Sequence, residues 1–435
     1  MKRKAAALAV GALFIAPAAH AQIVFGNPQL GTLQVYGKLY PQFGYGSSKD
    51  ATPTGGSVST LNSLTGICGT ASSAGGCNGN TPGPRRAVDV QNSYVGFRGE
   101  RDIANYRLKF IWQIEQATEF DTGTGTWASR NSFLGVRTAW GTVKLGKMDT
   151  IYKEYGDTLQ MFGISSGNFV SASNVLSQIG VGRSSTARFH ERKNNSIQYE
   201  TPTFNGLTFG YQYSPDEARD TTQTVPSGGC TTGPDAGNCG RDASLHSYGV
   251  KWDSEKFYAS VHQEVHNDFF GGSNNVSSTL SNAGTNGAHS QDMGTRFSAQ
   301  WRYLRDQRIT LDVARLKYRE FGQAAGVRFE SYAHTNWAIG WDAGFGGPWR
   351  FAAQYVRGGQ GNCTLTGNAA CSTFGLQSYM VTAGVRYRFD RQTFVYLIGA
   401  KLNNGPSARY DNWNSADPAR GADILQTALG LSYTF

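Results

Sequence analysis

Apolar and polar side chains alternate with a period of two along most of this chain, and that period limits what it can fold into. Across 424–435, Leu425, Thr427, Leu429, Leu431, Tyr433 and Phe435 share one face; Gln426, Ala428, Gly430, Ser432 and Thr434 share the other. Leu108, Phe110, Trp112 and Ile114 oppose Lys109, Gln113 and Glu115, and Val35, Leu39 and Phe43 oppose Gln34, Tyr36, Lys38 and Gln42. Tyr379, Val381, Ala383, Val385 and Tyr387 oppose Thr382, Gly384, Arg386 and Arg388. Successive side chains of an extended strand point to opposite faces, so the pattern reads as β-strand. Sixteen segments carry it, near 33–45, 90–99, 106–116, 130–140, 142–149, 188–201, 206–214, 244–253, 256–266, 294–304, 308–318, 330–345, 348–357, 378–389, 392–402 and 424–435.

The period alone fits a soluble sandwich, with its apolar face inward, or a membrane barrel, with its apolar face toward lipid. Three features favour the barrel. First, Lys2, Arg3 and Lys4 precede an apolar stretch and a small-residue Ala19-His20-Ala21 site, the order of a secretory signal. Residues 1–21 are therefore expected to be a signal peptide, and 22–435 the barrel domain; the formal charge then falls from +9 to +6. The stretch is too short for a membrane helix, and no later segment approaches that length. Second, short and long connections alternate strictly. The long ones, near 46–89, 117–129, 150–187, 215–243, 267–293, 319–329, 358–377 and 403–423, all fall at one end. This is the turn-and-loop asymmetry of outer-membrane barrels. Third, an even strand count lets the first strand pair with the last and removes the sheet edge. The expected fold class is all-β, a transmembrane antiparallel β-barrel of 16 strands in a Gram-negative outer membrane. Eighteen strands stay open if a long loop hides a hairpin. Tyr40, Tyr211, Tyr213, Trp252, Trp301, Tyr387 and Tyr433, near strand ends, read as interfacial girdles.

Six cysteines form three close pairs, Cys68 with Cys77, Cys230 with Cys239, and Cys363 with Cys371, each in a long connection. In an exported chain they read as disulfides. Fifteen connectivities are open, and three local staples close the shortest loops, each stabilising by about 2–3 kcal/mol.

Several motifs follow one another in order: Val35-Tyr36-Gly37-Lys38-Leu39-Tyr40; Ser93-Tyr94-Val95-Gly96-Phe97-Arg98-Gly99-Glu100; Phe133-Leu134-Gly135-Val136 with Trp140-Gly141-Thr142-Val143-Lys144-Leu145-Gly146-Lys147; and Asn195-Ser196-Ile197-Gln198-Tyr199 leading to Pro202. With the terminal Phe435, they resemble the Gram-negative general porins, the sixteen-stranded trimeric family. The resemblance implies a homotrimer and a third loop, about 150–187, folded into the lumen to make the constriction. The Pro-Glu-Phe-Gly sequence that some members carry there is not present.

Such a channel selects by radius and by the charge at its narrowest point. With Ile197 and Tyr199 toward lipid, Arg188, His190, Arg192, Asn194 and Ser196 share the lumen parity. Arg188 and Arg192 are expected to form a basic ladder, with Lys38, Arg98 and Arg137 also inward. Asp149, Glu154 and Asp157 on the third loop, with Glu115 on the third strand, are expected to face them across a transverse field. The bland alternative is that these charges anchor the loop, or meet lipid headgroups if parity slips at a bulge.

His262, Glu264 and His266 share one parity, but residues two apart on a strand rarely converge on one ion, so they read as lumen-lining. No metal and no cofactor are expected. No Gly-rich phosphate loop follows a strand and opens a helix, and the basic residues are dispersed, against nucleic-acid binding. The expected function is passive diffusion of small hydrophilic solutes and ions, with some anion preference, and no enzymatic activity. Lipid and lipopolysaccharide are the expected surroundings. A substrate-specific channel for sugars or organic acids is the alternative, which an aromatic slide through the lumen would mark. A barrel protease or lipase would need Asp/His or Ser/His groupings at the mouth.

Overall fold

Each wall strand hydrogen-bonds to the next in sequence, in antiparallel register throughout. The computed structural model describes residues 23–27, 31–53, 56–63, 81–123, 125–181, 189–215, 243–268, 289–322, 325–413 and 419–435. The expected signal peptide, Arg188, and the pairs Cys68/Cys77 and Cys230/Cys239 lie outside them. Two strands are broken: β1 comprises Gly31–Leu39 and Gln42–Lys49, and β2 comprises Arg85–Asp89 and Tyr94–Ile103. Then come β3 (Leu108–Ala117), β4 (Ser132–Thr138), β5 (Gly141–Asp149), β6 (Arg192–Glu200), β7 (Leu207–Pro215) and β8 (Ser244–Asp253). The remainder are β9 (Phe257–Asn267), β10 (His289–Leu304), β11 (Gln307–Phe321), β12 (Phe329–Gly344), β13 (Trp349–Gly358), β14 (Ser378–Arg388), β15 (Thr393–Asn404) and β16 (Asp423–Thr434).

The sheet closes where β16 pairs with β1, from Asp423 opposite Lys49 to Gly430 opposite Gln42, and again at Lys38 and Leu39. At the seam the Gly37 amide donates to the Phe435 carbonyl (2.9 Å) and the Phe435 amide to the Gly37 carbonyl (3.0 Å). Sixteen strands thus form the wall. Two further short strands, Ile23–Asn27 and Asn362–Leu365, pair with β1 and β12 as extensions and add no wall hairpin. The second lies in the loop closed by the Cys363–Cys371 disulfide, whose Cα atoms are 5.7 Å apart.

The wall departs from the expected boundaries mainly at the long-loop end. β10 begins at His289 and β11 runs to Phe321, because Ser290, Gln291, Asp292 and Glu320 continue the backbone ladder without continuing the apolar alternation. β6 starts at Arg192, four residues later than the parity suggests, and Phe189 just before it is tied to the inserted loop, its amide donating to the Ser177 carbonyl (3.0 Å). Outward-facing Leu134, Leu145, Phe209, Leu397 and Leu429 form the apolar exterior, with Trp252, Trp301 and Tyr433 also exposed. Tyr40 is a correction to the girdle: it is buried inside the barrel beside Met161 and Phe162 of the inserted loop. It shares inward parity with Lys38 and Gln42, at the break before Pro41, a residue with no amide to donate.

The hydrophobic core lies within the barrel. Inward-facing Leu316, Tyr318, Val356, Met380, Leu402 and Ile424 pack with Leu61 and with Val175, Leu176, Ile179 and Val181 of the inserted loop. The upper lumen beside β11–β16 is therefore filled by apolar contact, not lined only by polar groups. Burying this surface removes it from water and fixes the loops against one side of the wall.

A Cβ added at Gly37 would come 2.5 Å from Cζ of Phe435 and 2.8 Å from the Tyr94 carbonyl oxygen. Gly37→Ala should destabilise the folded barrel by about 1–3 kcal/mol, as overpacking does. A urea titration of the barrel in detergent measures it; an unchanged midpoint would show that the seam tolerates the added carbon.

Candidate pore constriction

The chain from Thr150 to Val181 turns inward and crosses the lumen, held by wall groups in succession. On one side the Tyr152 amide donates to Ser247 Oγ (2.8 Å), the Tyr258 hydroxyl to the Tyr155 carbonyl (2.6 Å), and Thr158 Oγ1 to Asp312 (3.0 Å). Further on, Arg308 donates to the Gln160 carbonyl (3.2 Å) and Lys38 to that of Gly163. Asn92 donates to the Ser166 carbonyl (2.9 Å), Asn168 to Gln42 (3.1 Å), and Asn336 to the Val175 carbonyl (3.0 Å). Between loop and wall remains a cavity of about 1020 Å³, bounded by Gly44–Gly46, Arg85, Ala87–Asp89, Gln91, Asn92, Lys147 and residues 191–194. Ser166–Phe169 of the loop and Asp411–Trp413 form its other sides.

Several expected residues meet, though in contact and not across a gap. Asp149, the last residue of β5, is 2.9 Å from Lys153 of the loop helix Ile151–Gly156 and 3.0 Å from Arg192 at the start of β6. Asn131 completes this cluster, accepting from Arg192 Nε (2.7 Å) and donating to Asp149 (3.1 Å). The β5–β6 register shifts between Gly146 and Met148, and Asn195 adopts φ 49. A bulge changes the parity upstream of it. Lys193 and Glu191 consequently form a buried ion pair, while Asn194, read as inward with Ser196, is exposed.

Glu115 on β3 faces inward, pairs with Arg130 and accepts from the Tyr36 hydroxyl (3.1 Å). Arg98 donates to Gln34 and lies 4.7 Å from the centroid of the Tyr36 ring. Arg137 sits at the short-turn end of β4, half exposed and 3.9 Å from Glu100, away from the loop. Glu154 is surrounded by Glu200, Lys144 and Lys251; burial and the Glu200 charge push its carboxyl up. Asp157 accepts from Gln160 and lies 4.0 Å from His190 Nε2.

Sequence reading passed over Arg130, which stands at the start of the fourth alternating segment and two residues ahead of the observed β4. It also passed over a lower basic group: Arg308 and Arg350 share Asp342, at 2.8 Å for Arg308, and Arg386 stands 5.0 Å from the Phe394 ring centroid. The inward parity of Arg386 was the available signal. His262, Glu264 and His266 do face inward, beneath the loop. His266 Nε2 is 2.9 Å from Glu264, and the rings of Tyr152 and Phe189 pack on His262 and His266. They form a bed for the loop, and among the described residues no His/Cys/Asp/Glu group has the spacing to hold a metal.

A family model described as Gram-negative porin matches residues 5–407. The major outer membrane protein P.IB of Neisseria lactamica is 30% identical over 125 residues, 29% of this chain and 34% of the relative. Its Neisseria sicca counterpart is 34% identical over 123 residues, 28% and 31% respectively. The chain thus spans about a third of the length of the curated relatives it matches. An anion-selective porin from Comamonas acidovorans superposes with a TM-score of 0.58 at 16% identity, covering 93% of this chain and 99% of that one. The trimer form of Vibrio cholerae OmpT gives 0.54 at 13%, covering 93% and 99%. At such identity the likeness is one of fold.

Burial pushes the Asp157 carboxyl up to about 6, against the opposing pull of Lys153 and Arg296. The group is charged above that pH and neutral below it, so acidification removes a negative charge from the lumen. Reversal potentials in a salt gradient should move toward anion preference between pH 7.5 and 5. Asp157→Asn should remove the carboxyl's part of that movement; an Asp157→Asn response matching wild type would exclude the carboxyl.

Proposed function

We propose, from the premise that this chain belongs to the Gram-negative porin family, that it forms a water-filled channel for passive diffusion of small hydrophilic solutes and ions. The barrel spans the outer membrane, with its long loops outside. One observation carries the reading: the loop that crosses the lumen leaves a cavity of about 1020 Å³ lined by charged and polar groups. A pore this wet needs no conformational cycle and no catalytic group to pass a solute. Residues 1–21 direct export and are removed, and the mature chain assembles as a homotrimer surrounded by lipid and lipopolysaccharide. The trimer form of its OmpT fold neighbour supports the assembly.

The channel prefers anions. Arg192, Lys153 and Asp149 set the charge on the outer side of the loop. Lys38, Arg98, Glu115 and Arg130 set it beside β1–β3, and Glu154 and Asp157 contribute from the loop itself. Below the loop, Arg308, Arg350 and Arg386 outweigh Asp342, leaving a positive wall in the path of the solute. Charge at the narrowest section decides selectivity. The anion selectivity of the Comamonas fold neighbour is in keeping with this reading.

Planar-bilayer recording in a potassium chloride gradient tests it. Folded protein should give a large, ohmic conductance in steps of three with an anion-preferring reversal potential. Arg192→Ala should shift that potential toward cations while conductance persists. Folded protein that passes no current would sink the channel reading, and an unmoved potential would remove Arg192 from the selecting section.

A further inference from the structure

Three long loops grip one another above the dry half of the lumen, and a disulfide ties their meeting point to the wall. In the first loop the short turn Thr60–Ser63 places Leu61, fully buried, in the core that also holds Val175, Leu176 and Val181. The Thr60 amide donates to the Ser372 carbonyl and the Ser372 amide to Thr60 Oγ1, both at 2.8 Å. The Ser59 amide donates to Ser407 Oγ of the last long loop (2.6 Å). Gly375, just beyond Ser372, accepts from the amides of Ser407 and Ala408 (both 3.0 Å). The Arg409 amide then donates to the Gly180 carbonyl of the inserted loop (2.8 Å). Gly180 adopts φ +74, and a Cβ there would come 2.4 Å from the Tyr410 ring, so the two loops meet where only glycine fits.

The segment that receives these contacts is anchored by the disulfide. Asn362–Leu365 pairs with β12, and the Thr366 amide donates to the Arg328 carbonyl (2.9 Å), but residues 369–377 belong to no strand. The Cys363–Cys371 bond leaves six residues, 372–377, before β14 begins at Ser378. Opening it lengthens that span to eleven, 367–377, and the entropy of a loop grows with its length. Both cysteines are half-buried, within reach of a small reagent. What surrounds the inserted loop fixes the direction of release. Val175, Leu176, Ile179 and Val181 lie packed against the wall, while Ser173, Asn174 and Gln178 border the cavity. A freed loop has wall behind it and water in front, so it moves into the solute path.

We propose that Ser59–Leu61, the 372–377 segment and the Cys363–Cys371 disulfide clamp the inserted loop clear of the channel, and that a small dithiol releases the clamp and lets the channel close. In the release, one thiolate of the dithiol attacks a sulfur of the disulfide and the other closes a cyclic disulfide. Cys363 and Cys371 leave as thiols, so two electrons and two protons pass from the dithiol to the protein. Thr60 and Leu61 are positioning residues: they touch other loops and not the solute. The clamp rests on the reading of this chain as a diffusion channel.

The test records single channels in planar bilayers at a fixed voltage, before and after dithiothreitol is added on the long-loop side. The closed fraction of wild type should rise about threefold, the effect of nearly doubling the span, with open-state conductance and reversal potential unchanged. Cys363→Ser/Cys371→Ser should close that often without dithiothreitol, which separates this bond from the other two cysteine pairs. Leu61→Ala should also close more often, and Leu61→Met, which keeps the volume, should match wild type. A serine variant that closes no more often than untreated wild type overturns the clamp. Should that variant not fold, dithiothreitol on folded wild type and Leu61→Ala decide, and an unchanged closed fraction in either overturns the clamp. Folded wild type that passes no current overturns the channel reading, and the clamp falls with it.

Discussion

The structure depends on the closing of a sheet whose edge could not survive in hydrocarbon. An unpaired strand edge in lipid leaves a row of amides and carbonyls with no partner. Here β16 pairs with both β15 and β1, and the paired backbone groups of Gly37 and Phe435 carry the seam to the last residue. Closure fixes the strand count as even and holds both ends of the wall on the short-turn side. Every long connection is thereby committed to the other side, where loops can meet one another and turn inward.

That second consequence shapes the lumen. A barrel of this size would enclose a wide pore if nothing filled it. Loop residues Val175, Leu176, Ile179 and Val181 fill one side by packing on inward Leu316, Val356, Met380 and Leu402. A second apolar cluster joins Met161, Phe162 and Ile164 to Tyr40, Tyr396 and Ile398 near the seam. The loop is thus held by apolar burial at two places and by hydrogen bonds from facing strands between them. Water is left the space beside β1, β2, β5 and β6, off the barrel axis.

The charges in that space behave differently from a simple pair of opposed walls. Asp149 offsets only one of its two partners, Lys153 and Arg192, and leaves that cluster one positive charge, whereas Glu115 cancels Arg130 and Glu191 cancels Lys193. Pairs in contact cancel at a distance, so the field a solute meets comes from the charges left over. These are chiefly the basic group beneath the loop, where one Asp342 serves two arginines. Outside, Arg315, Lys317 and Arg319 of β11 carry charge at three successive outward positions.

How much of this could be read from the residues follows from the range of each force. Alternation is a property of one strand, decided by backbone geometry and by which solvent each face meets, so the sixteen segments, the short turns and the inward parity of Lys38, Glu115 and Arg386 were legible. The Cys363–Cys371 staple was legible because it closes within eight residues. Where a bulge intervenes, parity no longer carries: Glu191 and Lys193 are buried and Asn194 is exposed, while Arg192 between them still reaches Asp149. Arg130 and the burial of Tyr40 escaped because each depends on a partner distant in sequence, Glu115 for one and the loop tip for the other. The sequence by itself determined a closed, lipid-facing barrel with its loops on one side, since the two-residue period, the export-signal pattern and the alternation of short with long connections are all written along the chain. Only the tertiary structure decided the course of the inserted loop, the dry half of the lumen and which charges remain uncompensated, because those rest on contacts that exist only once the wall has closed.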